Sequence, residues 1–197
     1  MSATAILNRA SAAYQKVQTL QADFVQQLRN PMLGDSHTSR GKMYQRRPDR
    51  FLMRFTEPAG DVIVSDGRYF WVYYPSVDAK QVIRMPSAAA GGGVDLQAQF
   101  LGDPARRFIA TLDGREKVAG HDAYVLTLVP RSTAELGYRK LRVWIDPSDY
   151  LARRFEITED NGNVRHFELS GLRTNAPVRS DLFRFTPPAD AHVVERG

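Results

Sequence analysis

The sequence predicts an α+β fold, in which one largely antiparallel sheet follows an amphipathic helix and two short helices interrupt the strands. Three observations carry this. Apolar spacing of period two recurs along most of the 197 residues. The junctions between these segments hold Asp-Gly and Asn-Gly pairs, which suit tight hairpin turns. No connection among the later strands is long enough for the helical crossover that joins parallel strands.

The first element is a helix. Ile6, Leu7, Ala10, Ala13, Tyr14, Val17 and Leu20 recur three or four apart, with Ser2 or Thr4 placed to cap. From residue 21 the period shifts towards two, through Phe24, residues 26–28, residues 42–45, and Phe51, Met53 and Phe55. Residues 62–74 form the clearest hairpin, with Ser65-Asp66-Gly67-Arg68 at its corner, and residues 80–85 supply the next strand. The run SAAAGGG at 87–93 packs little and is expensive to order, so it reads as a connection. Two short helices are expected within 95–109, the second capped by Asp103 with Pro104 at its first position. Strands resume at 123–130, 140–145, 151–159 and 164–172, set off by Asp113-Gly114, residues 120–122, Asp146-Pro147 and Asn161-Gly162. A last apolar strand is expected at 183–188, before prolines end it. No linker or internal repeat divides the chain, so a single domain over 1–197 is expected.

Composition excludes several function classes. Without cysteine there are no disulfides, thiolate metal sites or cysteine nucleophiles. The longest apolar run, Tyr69 to Tyr74, is far too short to cross a bilayer as a helix. The N-terminus MSATAILNRA has no basic segment followed by an apolar core, so no secretory leader is expected within these residues. Although the net charge is +5, the basic residues alternate with carboxylates, which reads as a mixed-sign surface and not a nucleic-acid footprint. His37, His121, His166 and His192 lie too far apart in sequence for a local metal motif, and no cofactor is expected. No G-x-S-x-G elbow is present, and Gly91-Gly92-Gly93 lacks the lysine of a phosphate-binding loop. No catalytic residue is nominated.

The apolar content of the strands is unusual. Phe51, Met53 and Phe55 share one strand face. Trp71 and Tyr73 share a face of another strand, and Phe70, Val72 and Tyr74 occupy its reverse. A sheet buried on both faces by helices explains this pattern, and so does a sheet curled around an apolar cavity with methionines as adaptable lining. Periodicity leaves both open.

At 64–75 the stretch VSDGRYFWVYYP resembles the central hairpin of the LolA family of periplasmic outer-membrane lipoprotein carriers. Three further stretches are similar and follow the family's order: LQADF at 20–24 with Gln26-Gln27, Gly41 with Arg47-Pro48 and Phe51, and residues 183–188. Together they cover nearly the whole chain. The resemblance implies an unclosed antiparallel barrel of about 11 strands, with a helical lid over an apolar cavity that receives lipoprotein acyl chains. It also implies that Arg47 is the latch whose hydrogen bonds to lid backbone hold the empty carrier shut, and that Phe51 stands at the cavity mouth where partners touch. By themselves, an arginine before a proline at a strand end reads as edge solvation and Phe51 as core.

The expected acyl-binding lining draws Phe24, Met43, Met53 and Phe55 from the early strands and Ile63, Trp71, Tyr73 and Met85 from the hairpin and its neighbour. Leu96, Phe100, Leu101 and Phe108 come from the helical segment, and Leu126, Leu128, Val143 and Ile145 from the later strands. The resemblance implies a periplasmic monomer with lipoprotein cargo, an inner-membrane LolCDE-type ABC transporter as donor and a LolB-type acceptor at the outer membrane. The alternative on the same scaffold is an RseB-like lipid-binding or envelope-sensor module, which would normally carry a second domain.

Overall fold

Thirteen residues, Ala3–Gln15, form helix α1, whose amide at Ala5 donates to the Ser2 hydroxyl at 3.2 Å. The cap satisfies one of the four amide donors that a helix start leaves over. Ile6, Leu7, Ala10 and Tyr14 make the buried stripe, as their spacing requires. Leu20 is equally buried but belongs to the first strand, so the helix stops short of the expected apolar run.

The computed structural model describes residues 1–87, 100–132 and 137–196. Its strands are β1 (Thr19–Asn30), β2 (Asp35–Arg46), β3 (Arg50–Glu57), β4 (Ala59–Asp66), β5 (Tyr69–Tyr73), β6 (Gln81–Pro86), β7 (Phe108–Val118), β8 (His121–Pro130), β9 (Tyr138–Ile145), β10 (Ala152–Glu159), β11 (Val164–Thr174) and β12 (His192–Glu195). Short helices α2 (Pro75–Asp78) and α3 (Pro104–Arg107) interrupt them. The sheet runs β12-β6-β5-β4-β3-β2-β1-β11-β10-β9-β8-β7, open at both ends.

Four sequence expectations change. The Asp113-Gly114 pair is no turn; it marks a register shift inside β7, where Gly114 takes φ +140°. Phe108 and Ile109 accordingly begin a strand instead of ending a helix. Pro104 does open α3, but Asp103 is left-handed at φ +50° and makes no side-chain cap. Residues 183–188 form no strand: a 3₁₀ turn spans Ser180–Phe183, and the last strand is β12, parallel to β6 in a sheet otherwise antiparallel wherever a register is given. Leu96, most of the run at 87–93 and the first expected helix before Phe100 lie outside the described residues; Phe100 and Leu101 are helical.

Gly41 has a steric reason. A Cβ there would stand 2.1 Å from the Arg54 carbonyl oxygen, where β2 shifts register against β3. Only glycine permits that approach.

The chain divides into two compact units. The first comprises Met1–Lys16, Val25–Thr38 and Gln97–Ser170. Here α1 packs on α3 and β7, and the Ser11 hydroxyl donates to the Leu101 carbonyl at 2.6 Å. Leu126, Leu128, Leu141, Val143, Ile145 and Phe155 are fully buried, and Phe155 packs its ring 5.4 Å from Phe100. The second unit comprises Val17–Phe24, Ser39–Leu96 and Gly171–Gly197, and carries the strands of the central hairpin.

Candidate functional site

In the second unit, strand register assigns every side chain of β2 to β6 to one of two faces. Met43 pairs with Met53, Met53 with Ile63, Ile63 with Val72 and Val72 with Ile83, so these residues share a face. Phe51, Phe55, Phe70 and Met85 join them by alternation. Leu52, Val64, Trp71 and Arg84 pair across the opposite face, with Tyr73 and Val82 beside them.

The Trp71 face is sealed by the C-terminal tail. Phe183 is 1% exposed within a cluster of Leu52, Val64, Trp71 and Val82, against which Val178, Leu182, Phe185 and Ala191 pack. Phe185 lies 5.5 Å from the Trp71 ring and 6.0 Å from that of Tyr73, and the Arg84 guanidinium lies over Tyr69 and Trp71. Arg84 is also tied to Glu195 of β12. Buried Trp71 and partly buried Tyr73 therefore pack under the tail on the face away from Met43, Met53 and Phe55, which corrects their expected place in one common lining.

The VSDG motif builds this arrangement. Asp66 Oδ1 accepts the amides of Arg68 and Tyr69 at 2.8 and 2.7 Å, and Oδ2 accepts the Trp71 indole at 2.9 Å. Burial pushes the Asp66 carboxyl up, but these donors, with Arg50 nearby, outweigh it and hold the pKa below its ordinary value. Gly67 turns the corner at φ +91°. The Tyr-Pro that follows starts α2, where Asp61 accepts the Ser76 amide and hydroxyl at 3.1 and 2.6 Å.

The other face changes character along the sheet. Phe24, Phe51, Met53 and Phe55 are buried, and Phe55 packs edge-on to Phe24 at 5.1 Å and to Tyr74 at 5.9 Å. Ile63, Phe70, Val72, Ile83 and Met85 are only half-buried. Between β5, β6 and α2 opens an apolar cleft of about 120 Å³, lined by Val72, Tyr74, Val77 and Ile83 with Asp78 and Gln81. Sequence reasoning placed Ile63 and Met85 here but left out Phe70, Val72 and Ile83. Their shared face was legible in the alternation of 70, 72 and 74, whereas its openness depends on where the tail lies.

Phe100, Leu101, Phe108, Leu126, Leu128, Val143 and Ile145, expected in the same lining, are all 2% exposed or less in the first unit. Arg47 sits in the β2–β3 turn, half-buried, ahead of a cis proline, and its amide donates to the Gln18 carbonyl at 2.9 Å. Phe51 is 5% exposed. Among the described residues no cluster of three or more His, Asp or Glu side chains offers a metal site.

The family model described as outer membrane lipoprotein carrier protein LolA matches residues 15–186. An outer-membrane lipoprotein carrier protein of Methylococcus capsulatus is 30% identical over 95% of this chain and 86% of its own length. One of Alkalilimnicola ehrlichii is 29% identical over 93% and 81%. Among solved structures, MucB superposes with a TM-score of 0.60 at 22% identity, covering 98% of this chain and 65% of that one. An uncharacterised conserved protein from Thermus thermophilus gives 0.59 at 19%, covering 98% and 99%. These two likenesses concern the fold.

Proposed function

The chain belongs to the LolA family of outer membrane lipoprotein carriers, and from that premise we propose that it ferries lipoproteins across the periplasm by shielding their acyl chains from water. The observation that carries the reading is the half-buried apolar face of β4 to β6, with its open cleft, on a sheet whose reverse is sealed.

Hydrocarbon transfer gives the physical logic. Each methylene taken from water contributes about 0.8 kcal/mol, so a sixteen-carbon chain faces a penalty on the order of 12 kcal/mol in the periplasm. The carrier offsets that penalty, yet must release what it holds, so affinity has to stay moderate. A cavity of about 150 Å³ accepts a benzene-sized group. The 120 Å³ cleft therefore accepts the end of an acyl chain, and deeper entry requires the cover to move. Arg47 acts as the latch in this reading: its hydrogen bonds favour the empty, closed state, and cargo must exceed that differential to load. The lining is Met43, Met53, Phe55, Ile63 and Met85 with Phe70, Val72 and Ile83, and Phe51 borders it. A LolCDE-type transporter in the inner membrane loads the carrier, and a LolB-type acceptor receives the cargo from a monomer. The sensor reading shares the scaffold, but no described feature of the second unit favours it over transport.

The test is to express the protein with a secretion signal in a diderm bacterium, purify it and identify copurifying molecules by mass spectrometry. Lipoproteins are expected with the wild type, and an Arg47→Leu variant should retain them while handing them more slowly to an acceptor. Lipid without protein would convert the proposal to a glycolipid or phospholipid carrier. An Arg47→Leu protein that delivers at wild-type speed removes the latch.

A further inference from the structure

The β2–β3 turn and the 3₁₀ turn of the tail enclose a cleft of about 340 Å³ in the second unit. Four arginines line it, Arg46, Arg47, Arg50 and Arg184, with Ser180 beside them and the buried Phe183 beneath. One carboxylate, Asp49, shares the cleft, and it lies 3.6 Å from the Arg50 guanidinium. Arg46, Arg50 and Arg184 are exposed. No ion pair of Arg46 is found among the described residues. Arg184 senses Asp181, but that carboxylate is engaged by Arg179.

Arg50 is balanced by Asp49 and by Asp66 across the β3–β4 ladder, but Arg46 and Arg184 add two exposed positive charges to the cleft that its lining does not neutralise. A ligand that relieves this excess must carry more than one negative charge or several acceptor oxygens. A carboxylate carries one negative charge on two oxygens; a phosphate carries up to two charges on as many as four oxygens and accepts from several arginines at once. The cleft is also roomier than an inorganic phosphate needs, leaving space for an ester substituent.

We propose that this cleft is a phosphate-binding site, taking either free phosphate or the phosphate ester of an anionic lipid headgroup. The cleft shares Arg47 with the acyl-binding reading, so the proposal is tested at Arg46 and Arg184, which that reading does not use. It also leaves Arg47 untouched as a test position, since Arg46 and Arg184 carry the distinguishing charge.

Calorimetric titration of the whole protein with inorganic phosphate tests it, using an Arg46→Gln, Arg184→Gln double variant. An Arg29→Gln, Lys117→Gln variant removes the same charge elsewhere, and thermal melts verify that both fold. The cleft variant is expected to bind phosphate at least about tenfold more weakly, because each guanidinium lost removes charge-assisted hydrogen bonds, while the control stays within about twofold. Cosedimentation separates the sources. Capture by phosphatidylglycerol vesicles but not phosphatidylcholine vesicles, lost in the cleft variant, identifies a headgroup site; phosphate binding without vesicle capture identifies a soluble phosphate site. Equal weakening in both variants, no phosphate binding by the wild type at millimolar concentration, or tighter binding of an acidic glutamate peptide at these arginines would each overturn the proposal.

Discussion

In β8 to β10, Leu126, Leu128, Val143, Ile145 and Phe155 are wholly buried, whereas in β4 to β6, Ile63, Phe70, Val72, Ile83 and Met85 are only partly buried on one side of the sheet. The residue types are alike, and the strands alternate in the same way. What differs among the described residues is the covering element: α1 and the segment around Leu101 pack in the first unit, while in the second the tail packs on the reverse face. Apolar surface that is covered stabilises the fold, and apolar surface left uncovered is available to a ligand. Being hydrophobic does not by itself separate the two roles.

Three substitutions sharpen this contrast, and the largest effect is expected on the covered side. Phe155→Ala removes a fully buried ring beside Phe100 and should cost about 3–5 kcal/mol. A calorimetric midpoint lower by roughly 10 °C is the corresponding shift for a domain of this size. A loss below about 1 kcal/mol would mean that this region is as loosely packed as the other.

Asp66→Ala acts on the sealed face of the hairpin, where it frees two turn amides and the Trp71 indole. The expected cost at neutral pH is about 1–3 kcal/mol by denaturant unfolding. Because the folded carboxyl titrates below its ordinary value, its contribution is complete above the unfolded pKa and is lost as the pH falls through the depressed one. The gap between wild type and variant should therefore narrow below about pH 4. A gap that widens on acidification would contradict the hydrogen-bonding assignment.

The smallest stability effect is expected at Phe70→Ala, under about 1.5 kcal/mol, since that side chain is only partly buried. Its binding effect should be the larger one. Affinity for an acylated peptide, followed by fluorescence, should drop several-fold in Phe70→Ala and stay unchanged in Asp66→Ala at neutral pH. The reverse ranking would place the acyl site on the Trp71 side.

The hairpin at 62–74 was legible because Asp66-Gly67 at a corner between apolar runs has few other readings. The same dipeptide logic failed at Asp113-Gly114, where β7 continues past a bulge; a glycine with positive φ serves a turn and a bulge equally well. Phe183 and Phe185 looked like a strand because apolar residues alternate there, yet they serve as a plug for a face built much earlier in the chain. That distant contact also decided the site. Alternation separated Trp71 and Tyr73 from Phe70 and Val72, but which pair remained open depended on the tail, and local pattern holds no information about it. Gly41 illustrates the opposite case: the motif was visible, and its cause, the Arg54 carbonyl, required coordinates.

The plug formed by Phe183 sets an order of events during biogenesis. Synthesis runs from the N-terminus, so β4 to β6 emerge long before the residues that close their Trp71 side. Until then the nascent hairpin presents apolar side chains on both surfaces, one of which its own last segment will cap. During that interval the growing chain depends on being kept from self-association.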